Sequence, residues 1–251
     1  MNIQKCLNSN QIKLIAILAM TADHIAWAVF PGYPLKPLPL LLHILGRLTC
    51  PIMCYCIAEG YHYTSNIRKY TTRLFIFAVI SHFAYVFASA DFSGWKSFIP
   101  FCGGNVLNQT SVMWSLAWGL VMLRIAHSKT IKGIRQGALL LLACVLSFPA
   151  DWSCIAALCI VVIGTNRGNF KKQMAGMMVF VAAYAAVYCL SINFVYGLVQ
   201  LAVALSIPVL WLYNGKRGAN PTVNRVMKWV FYIYYPLHLV IIGTVQQLAG
   251  K

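Results

Sequence analysis

Residues 12–30 read IKLIAILAMTADHIAWAVF, an apolar stretch interrupted by few polar side chains. A helix needs about 20 such residues to cross the hydrocarbon core of a bilayer, so this stretch predicts a membrane-spanning helix. Its second half carries Asp23 and His24, and a Pro-rich turn follows instead of the small-residue cleavage site of a secretory signal. We therefore expect the segment to be retained.

Long apolar stretches recur along the rest of the chain. Hydrophobic residues make up 60% of it, charged residues 10%, and the mean hydropathy is +0.71. We place helices at 12–30, 39–59, 71–90, 108–126, 134–149, 152–165, 173–191, 194–213 and 229–248. The predicted fold is all-α: a polytopic integral membrane helical bundle of about nine transmembrane helices, forming a single membrane-embedded domain over 1–251.

Basic residues lie mainly around the start of the first predicted span, and in every second gap between spans or within a few residues of it. They are Lys5, Lys13, Arg68, Lys69, Arg73, Arg124, Lys129, Lys132, Arg135, Arg167, Lys171, Lys172, Lys216, Arg217, Arg225 and Lys228. Because cytoplasmic loops collect Lys and Arg, this alternation predicts a cytoplasmic N-terminus. An odd number of spans then places Lys251 outside. Orientation also explains the net charge of +16, so no nucleic-acid partner is predicted.

Ionisable residues inside the predicted spans are the first place to look for function, because burying them in a membrane costs several kcal/mol. Asp23 lies about 10 Å from the outer end of its span, and Arg47 lies at about 12 Å depth in the next. The matching depths predict an ion pair, which is also the purely structural interpretation of both residues.

Histidines lie in the outer half or the middle of the predicted spans. They are His24, His43, His82 and His238. A lone intramembrane histidine usually serves packing, whereas several near a carboxylate and a guanidinium indicate a polar cavity suited to catalysis. Zinc binding would use the same residues, but no HExxH or His-x-His spacing is present, so no metal is expected.

Two further regions offer polar groups. Glu59 and His62 stand at the cytoplasmic end of the second span, before Arg68; they either form an interfacial ion pair or receive an anionic cofactor. Asp151 lies in a Pro-Ala-Asp-Trp turn, which is either a plain connection or a broken element lining the cavity.

Ordered motifs along essentially the whole chain resemble a known family. The first are Lys13-Leu-Ile-Ala-Ile leading to Asp23-His24-Ile25, and Gly46-Arg47 to Pro51-Ile52. The later ones are Glu59-Gly60 with His62 and Thr64, Arg73-Leu-Phe-Ile-Phe-Ala ending in Ser81, and Tyr232-Ile-Tyr-Tyr-Pro-Leu-His238-Leu. Together they resemble the TraX-type membrane proteins, named for F-pilin N-terminal acetylation and grouped with integral-membrane acyltransferases.

Three positions depart from the family pattern. Ser111 begins a segment that starts with Asn in the family, and Asp151-Trp152-Ser153 replaces an Asp-Tyr-Gly pattern. His82 replaces what is often another polar residue. These differences concern the identity of the acceptor more than the class of reaction.

The resemblance implies acetyl transfer from cytosolic acetyl-CoA to an acceptor at or across the membrane. This chemistry needs a general base or a transient acyl acceptor, and stabilisation of the oxyanion. We expect His24 or His238 as the base, Asp23 and Arg47 as orienting or electrostatic partners, and Arg47 or Tyr235 at the oxyanion. Further binding residues are predicted on the cytosolic side and around the cavity: Glu59, His62, Arg68, Arg73, His82, Ser111 and Asp151.

The expected acceptor is a pilin, another exported peptide amine or a surface glycan, and the expected location is the bacterial cytoplasmic (inner) membrane, in contact with membrane lipid. Two alternatives remain at this stage. A proton-coupled transporter would use the same buried His, Asp and Arg as a relay, although no internal repeat favours duplicated halves. A subunit of a surface-secretion apparatus would use the cluster for packing only.

Overall fold

The fold is helical throughout the part of the chain that the computed structural model describes, residues 5–89, 92–102 and 107–249. The helices there are α1 (Ser9–Val29), α2 (Pro37–Gly46), α3 (Thr49–Tyr63), α4 (Ile67–Phe87), α5 (Val112–Ala126), α6 (Ile134–Ser147), α7 (Ile155–Thr165), α8 (Phe170–Ser191), α9 (Phe194–Gln200), α10 (Ser206–Trp211) and α11 (Pro221–Leu248). Single 3₁₀ turns cover Trp95–Phe98 and Leu201–Leu205. The predicted all-α membrane fold is confirmed.

Six helical segments of the described residues are long and apolar enough to cross a membrane. They are Ser9–Val29, Pro37–Tyr63, Ile67–Phe87, Phe170–Ser191, Phe194–Trp211 and Pro221–Leu248. Large apolar side chains point outward from them, as Leu18 does with 62% of its surface exposed. A lipid environment explains such exposure, because water would penalise it. The chain is a multi-pass membrane protein.

The other three predicted spans are apolar helices of 15, 14 and 11 residues, α5, α6 and α7. At about 1.5 Å per residue they are shorter than a hydrocarbon core of roughly 30 Å. The count of nine crossings therefore stays a prediction, as do the cytoplasmic N-terminus and the external C-terminus that depend on it. Residue 90, the predicted end of the third span, and Lys251 lie outside the described residues.

Two compact units divide the chain. One contains residues 1–53 and 178–238, and the other contains residues 54–177 and 239–251. The unit boundaries fall within α3, α8 and α11. The single domain over 1–251 stays a prediction.

In the first unit, a capping side chain and a proline define where two of the helices begin. Asn8 caps α1 by accepting from the backbone N–H of Gln11, whose side chain accepts from the N–H of Asn8 in return. Pro37 starts α2, where its missing N–H costs nothing. These two starts fix the ends of the helices that carry the polar residues described below.

The predicted helix 39–59 is two helices in the structure. α2 ends at Gly46, the chain turns through Arg47 and Leu48, and α3 starts at Thr49. Pro51 explains the break, since its ring would clash with the carbonyl of Arg47, four residues earlier, in a continuous helix. The turn places Arg47 at the end of α2, where its side chain reaches α1.

In the second unit, α5 packs closely against α7. A Cβ on Gly119 would lie 2.9 Å from the Cα of Ala157, so only glycine permits this approach. Ser115 Oγ donates to the carbonyl of Ser153 at 2.7 Å, and the N–H of Asp151 donates to the carbonyl of Thr110 at 2.8 Å. These bonds hold the Pro-Ala-Asp-Trp turn against the start of α5.

Candidate functional site

Asp23 is the centre of a buried polar cluster in the first unit. Its carboxylate lies on the buried side of α1, and Arg47 Nη2 donates to both carboxylate oxygens at 2.9 and 3.0 Å. The ion pair predicted from matching depths is therefore confirmed. Each charge satisfies the other in a region where water cannot.

The guanidinium of Arg47 is held by further acceptors as well. Nη1 donates to Gln200 Oε1 at 2.8 Å, and Nε donates to the carbonyl of His43 at 3.2 Å. Gln200 is buried at the end of α9 and was not among the predicted site residues. Its signal in the sequence is a single amide inside an otherwise apolar run. With all three nitrogens engaged, Arg47 fixes the position of Asp23.

His43 completes the cluster and was also missing from the predicted site. Its Nδ1 lies 2.8 Å from Asp23 Oδ1, and the residue is 1% exposed. A carboxylate only accepts, so Nδ1 carries the proton and donates. The rings of Trp27 and Tyr196 lie 4.6 and 5.3 Å from the imidazole, centroid to centroid. Asp23 was expected to orient His24 or His238. In the structure its carboxylate orients His43 instead.

Gly46 allows α2 to approach Asp23. A Cβ at this position would lie 2.6 Å from Asp23 Cγ and Oδ1, which is too close for any real contact. We expect Gly46→Ala to push the carboxylate away from Arg47 and His43, and to lower the thermal unfolding temperature in detergent. Gly137→Ala, where nothing lies within 4 Å of the added Cβ, is the matched control. Equal unfolding temperatures for the two variants would contradict this role.

A second polar contact joins α1 to α11. His24 Nδ1 and His238 Nε2 lie 2.6 Å apart, and the rings stack with centroids 4.8 Å apart. His238 Nδ1 lies 2.8 Å from the carbonyl of Tyr234, to which it donates. Its Nε2 must then accept from His24 Nδ1–H, which leaves the lone pair of His24 on Nε2. Of the two histidines predicted as the base, these tautomers favour His24.

Tyrosines of α11 surround the histidine pair. Tyr234 Oη lies 2.7 Å from Thr21 Oγ1 and its ring stacks on His238 at 5.1 Å. Tyr235 is buried and its ring meets those of His24 and His238 edge-on, at 6.2 and 5.6 Å. The structure thus brings together Tyr235 and the two predicted histidines.

The other predicted site residues belong to the second unit. Glu59 Oε1 accepts from Arg167 Nε at 3.3 Å, so its predicted interfacial ion pair is present. His62 Nε2 donates to the carbonyl of Gly164 at 3.1 Å. Arg68 is exposed in the first turn of α4.

Three more of the predicted site residues in that unit have different neighbours from one another. Arg73 lies over the ring of Tyr70, with its guanidinium carbon 5.4 Å from the centroid. His82 Nε2 donates to the carbonyl of Phe98 at 2.8 Å. Ser111 precedes α5, and its fully buried Oγ has no hydrogen-bond partner among the described residues. The roles of these residues in binding stay predictions.

Within residues 5–89, 92–102 and 107–249, no group of three or more His, Cys, Asp and Glu side chains is placed to hold a metal ion. The described residues of the first unit do contain a cavity of about 320 Å³. It lies between the N-terminal ends of α1 and α11, and its lining includes Asn10, Gln11, Asn220 and Met227. These two helices also carry the histidine pair.

Comparison with known proteins assigns the family. The model of the family described as TraX protein matches residues 8–246, a range that includes both polar clusters and every predicted site residue. The chain belongs to the TraX family. This confirms the resemblance drawn from its motifs.

One curated relative of this TraX-family chain comes from Dichelobacter nodosus. It is described as probable fimbrial assembly protein FimC, serogroup H1, and is 28% identical over 245 residues. The match covers 92% of this chain and 93% of the relative, so the similarity extends over nearly the full length of both proteins. No solved structure matches the chain.

Proposed function

We propose that this TraX-family protein is a membrane acetyltransferase, which moves an acetyl group from cytosolic acetyl-CoA to an amine of an exported peptide such as a pilin. The histidine pair of α1 and α11 carries the proposal, because its tautomers leave one basic nitrogen available inside a membrane-spanning helix. The fimbrial assembly name of the relative supports a pilin-type acceptor. A surface glycan hydroxyl would need the same chemistry.

His24 is the residue that we propose to receive the acetyl group. It is only partly buried, and its Nε2 lone pair is the one left free by the contacts of Nδ1. Nε2 bonds the acetyl carbon, the carbon–sulfur bond breaks, and sulfur leaves with the electron pair. The Nδ1 proton of His24 moves across the 2.6 Å contact to His238 Nε2, so the acetylated ring stays neutral.

The second transfer returns His24 to its starting state. The acceptor nitrogen bonds the acetyl carbon and loses one proton, which finally passes to water. The bond from that carbon to His24 Nε2 breaks, and its electron pair stays on the ring. His238 gives its extra proton back to His24 Nδ1. The thiolate, released on the cytosolic side, takes its own proton from water. A route in two steps suits a donor and an acceptor that approach from opposite faces.

The oxyanion of each step needs a hydrogen-bond donor. Arg47 was one candidate, but its nitrogens already donate to Asp23, Gln200 and the His43 carbonyl. We therefore assign Arg47 to positioning. Tyr235, whose ring packs edge-on against both histidines, carries the donor that we assign to the oxyanion.

The cavity between α1 and α11 suits the nucleotide end of acetyl-CoA, which supplies the activated acetyl group. Its amide side chains can hydrogen-bond a base, and the exposed Lys216 and Arg217 at the same end can pair with phosphates. From Gln11 to His24 the axis of α1 rises by about 20 Å. A long donor lying along α1 would span that length. Glu59, His62, Arg68 and Arg73 stay predicted cytosolic contacts.

Filling this cavity gives a test of donor binding. We expect Met227→Trp to raise the KM for acetyl-CoA about tenfold with kcat nearly unchanged, since the change is remote from His24. Steady-state kinetics at saturating acceptor peptide would measure both constants. Val226→Trp, on an exposed position of the same helix outside the cavity lining, is the control. A lower kcat with unchanged KM for Met227→Trp would contradict this placement of the donor.

The proposed location is the bacterial inner membrane, where cytosolic acetyl-CoA and exported peptides meet. The test uses purified protein in lipid vesicles with acetyl-CoA and a pilin-type peptide bearing a free amino terminus. We expect acetylated peptide and free CoA in equal amounts. Proton-coupled flux of a solute with no consumption of acetyl-CoA would instead support a transporter.

A further inference from the structure

We propose that His43 is a second catalytic histidine, the general base that removes the proton from the acceptor amine. The inference rests on the proposed function, because it assigns a residue to the second transfer step. It concerns a side chain outside the predicted site and separate from the His24 and His238 pair. The observation behind it is a buried Asp23 and His43 dyad in which Nε2 of His43, the ring nitrogen not bonded to Asp23, has no hydrogen-bond partner among the described residues.

The hydrogen bonds of Asp23 fix which nitrogen of His43 is basic. Asp23 Oδ1 accepts from Nδ1 at 2.8 Å, so a neutral ring carries its lone pair on Nε2. Arg47 holds the same carboxylate through two contacts of 2.9 and 3.0 Å. The ring is therefore locked in the tautomer and orientation that a proton acceptor needs. When Nε2 gains a proton, the carboxylate stabilises the imidazolium.

Burying His43 Nε2 without a hydrogen bond is unfavourable, and packing of the ring alone does not offset this. Nε2 is fully buried and has no hydrogen-bond partner among the described residues. Leaving a buried polar atom unsatisfied costs about 1–3 kcal/mol, and a membrane span offers no bulk water in compensation. The free nitrogen indicates a ligand that donates a hydrogen bond.

The surroundings of the ring suit an amine with an apolar chain. Trp27 and Tyr196 flank the imidazole, and the ring of Tyr33 lies 4.9 Å from that of Tyr196, centroid to centroid. Aromatic faces accept weak contacts from the N–H groups of an amine. An amine with an apolar chain is thus the class of ligand that fits these aromatic side chains.

The position of His43 relative to His24 follows from α1. Asp23 and His24 are consecutive, so they point about 100° apart around the same helix turn. The dyad and the acetyl-accepting pair therefore lie at one depth on neighbouring faces of α1. This arrangement separates the acetyl-accepting histidine from the base and provides one histidine for each half of the reaction.

The proton balance of the second step is complete with His43. The acceptor nitrogen forms its bond to the acetyl carbon, and the proton that it loses passes to His43 Nε2. The bond from the acetyl carbon to His24 Nε2 breaks with its electrons on His24, which regains its Nδ1 proton from His238. His43 then releases the acceptor's proton to water. No oxidant, reductant or further reactant is needed.

Two substitutions separate the base from a structural residue. His43→Asn keeps an N–H close to the position of Nδ1, so the bond to Asp23 can persist while Nε2 is lost. His43→Gln places an amide near Nε2 and loses the Nδ1 donor. The control is Leu41→Ala, an exposed apolar position of the same helix. Folding is compared by thermal unfolding in detergent, and all variants are studied in lipid vesicles.

The measurement resolves the two half-reactions. Vesicles receive acetyl-CoA first, and CoA release is followed in the absence of acceptor; a pilin-type peptide is then added. For His43→Asn we expect wild-type release of about one CoA per protein, followed by peptide acetylation slowed about 100-fold or more. His43→Gln should show the same loss, and Leu41→Ala should behave as wild type.

Three outcomes would overturn the inference or its basis. Peptide acetylation by folded His43→Asn within about threefold of wild type would show that Nε2 is not the base. Loss of both CoA release and transfer in folded His43→Asn would place His43 in the first step instead. Absence of CoA release and transfer in the wild type would refute the proposed function itself, and that result is distinct from the other two.

Discussion

Arg47→Met is expected to destabilise the protein by about 3–5 kcal/mol, the largest effect on stability that the structure predicts. The substitution removes the donors to both oxygens of Asp23 and leaves a carboxylate buried inside a membrane-spanning helix. His43 alone cannot replace the lost positive charge without taking up a proton. Thermal unfolding in detergent, with folded yield from the membrane fraction, measures the effect.

A double substitution shows whether the charge causes the loss. Asp23→Leu combined with Arg47→Met removes both buried charges, and we expect it to regain much of the lost stability. Arg225→Met, at an exposed position of α11, controls for the chemical change. If Arg47→Met unfolds at the temperature of Arg225→Met, the buried ion pair does not stabilise the fold.

His24→Ala is expected to lower acetyl transfer by at least about 100-fold and to abolish CoA release in the absence of acceptor. Both effects follow because the substitution removes the nitrogen that we propose to accept the acetyl group. The fold should persist, since His24 is only partly buried and its removal leaves no buried charge unpaired. Quantification of released CoA and of acetylated peptide measures the two steps.

His238→Ala provides the matching test of the pair. It leaves His24 in place but removes the acceptor for the Nδ1 proton, so we expect slower CoA release with the same final stoichiometry. Exposed Leu237→Ala, next to it on α11, is the control. Full acetylation by both His24→Ala and His238→Ala at normal expression would end the catalytic assignment of the pair.

The membrane fold followed from the sequence because its physical cause is simple. Runs of about 20 apolar residues have few other uses, and large apolar residues of the first run, such as Leu18 and Ile25, are exposed on the helix surface. The interruption of the second helix was missed, although Pro51 already implied it. Hydropathy averages over a window, whereas one pyrrolidine ring acts on a single carbonyl.

The ion pair of the site was predictable, because each charge had one oppositely charged candidate partner at its depth. Asp23 and Arg47 are opposite charges at equal depth, so their contact followed from helix rise alone. Which histidine contacts Asp23 could not be predicted from the sequence. Four histidines were expected at similar depths, and the rotation of each helix about its axis decides which side chain faces Asp23. The close approach of α2 at Gly46 brings His43 to Asp23, and the packing of α9 brings Gln200 to Arg47. The spacing of residues along the chain predicts neither contact.

The most direct test follows radiolabelled acetyl through the protein. Wild-type protein in vesicles is incubated with labelled acetyl-CoA and no acceptor, stripped of free donor, and then given a pilin-type peptide. We expect label on a peptide fragment containing His24, about one per protein, which then moves to the amino terminus of the added peptide. No label on the protein and none on the acceptor would contradict the acetyltransferase assignment at its root.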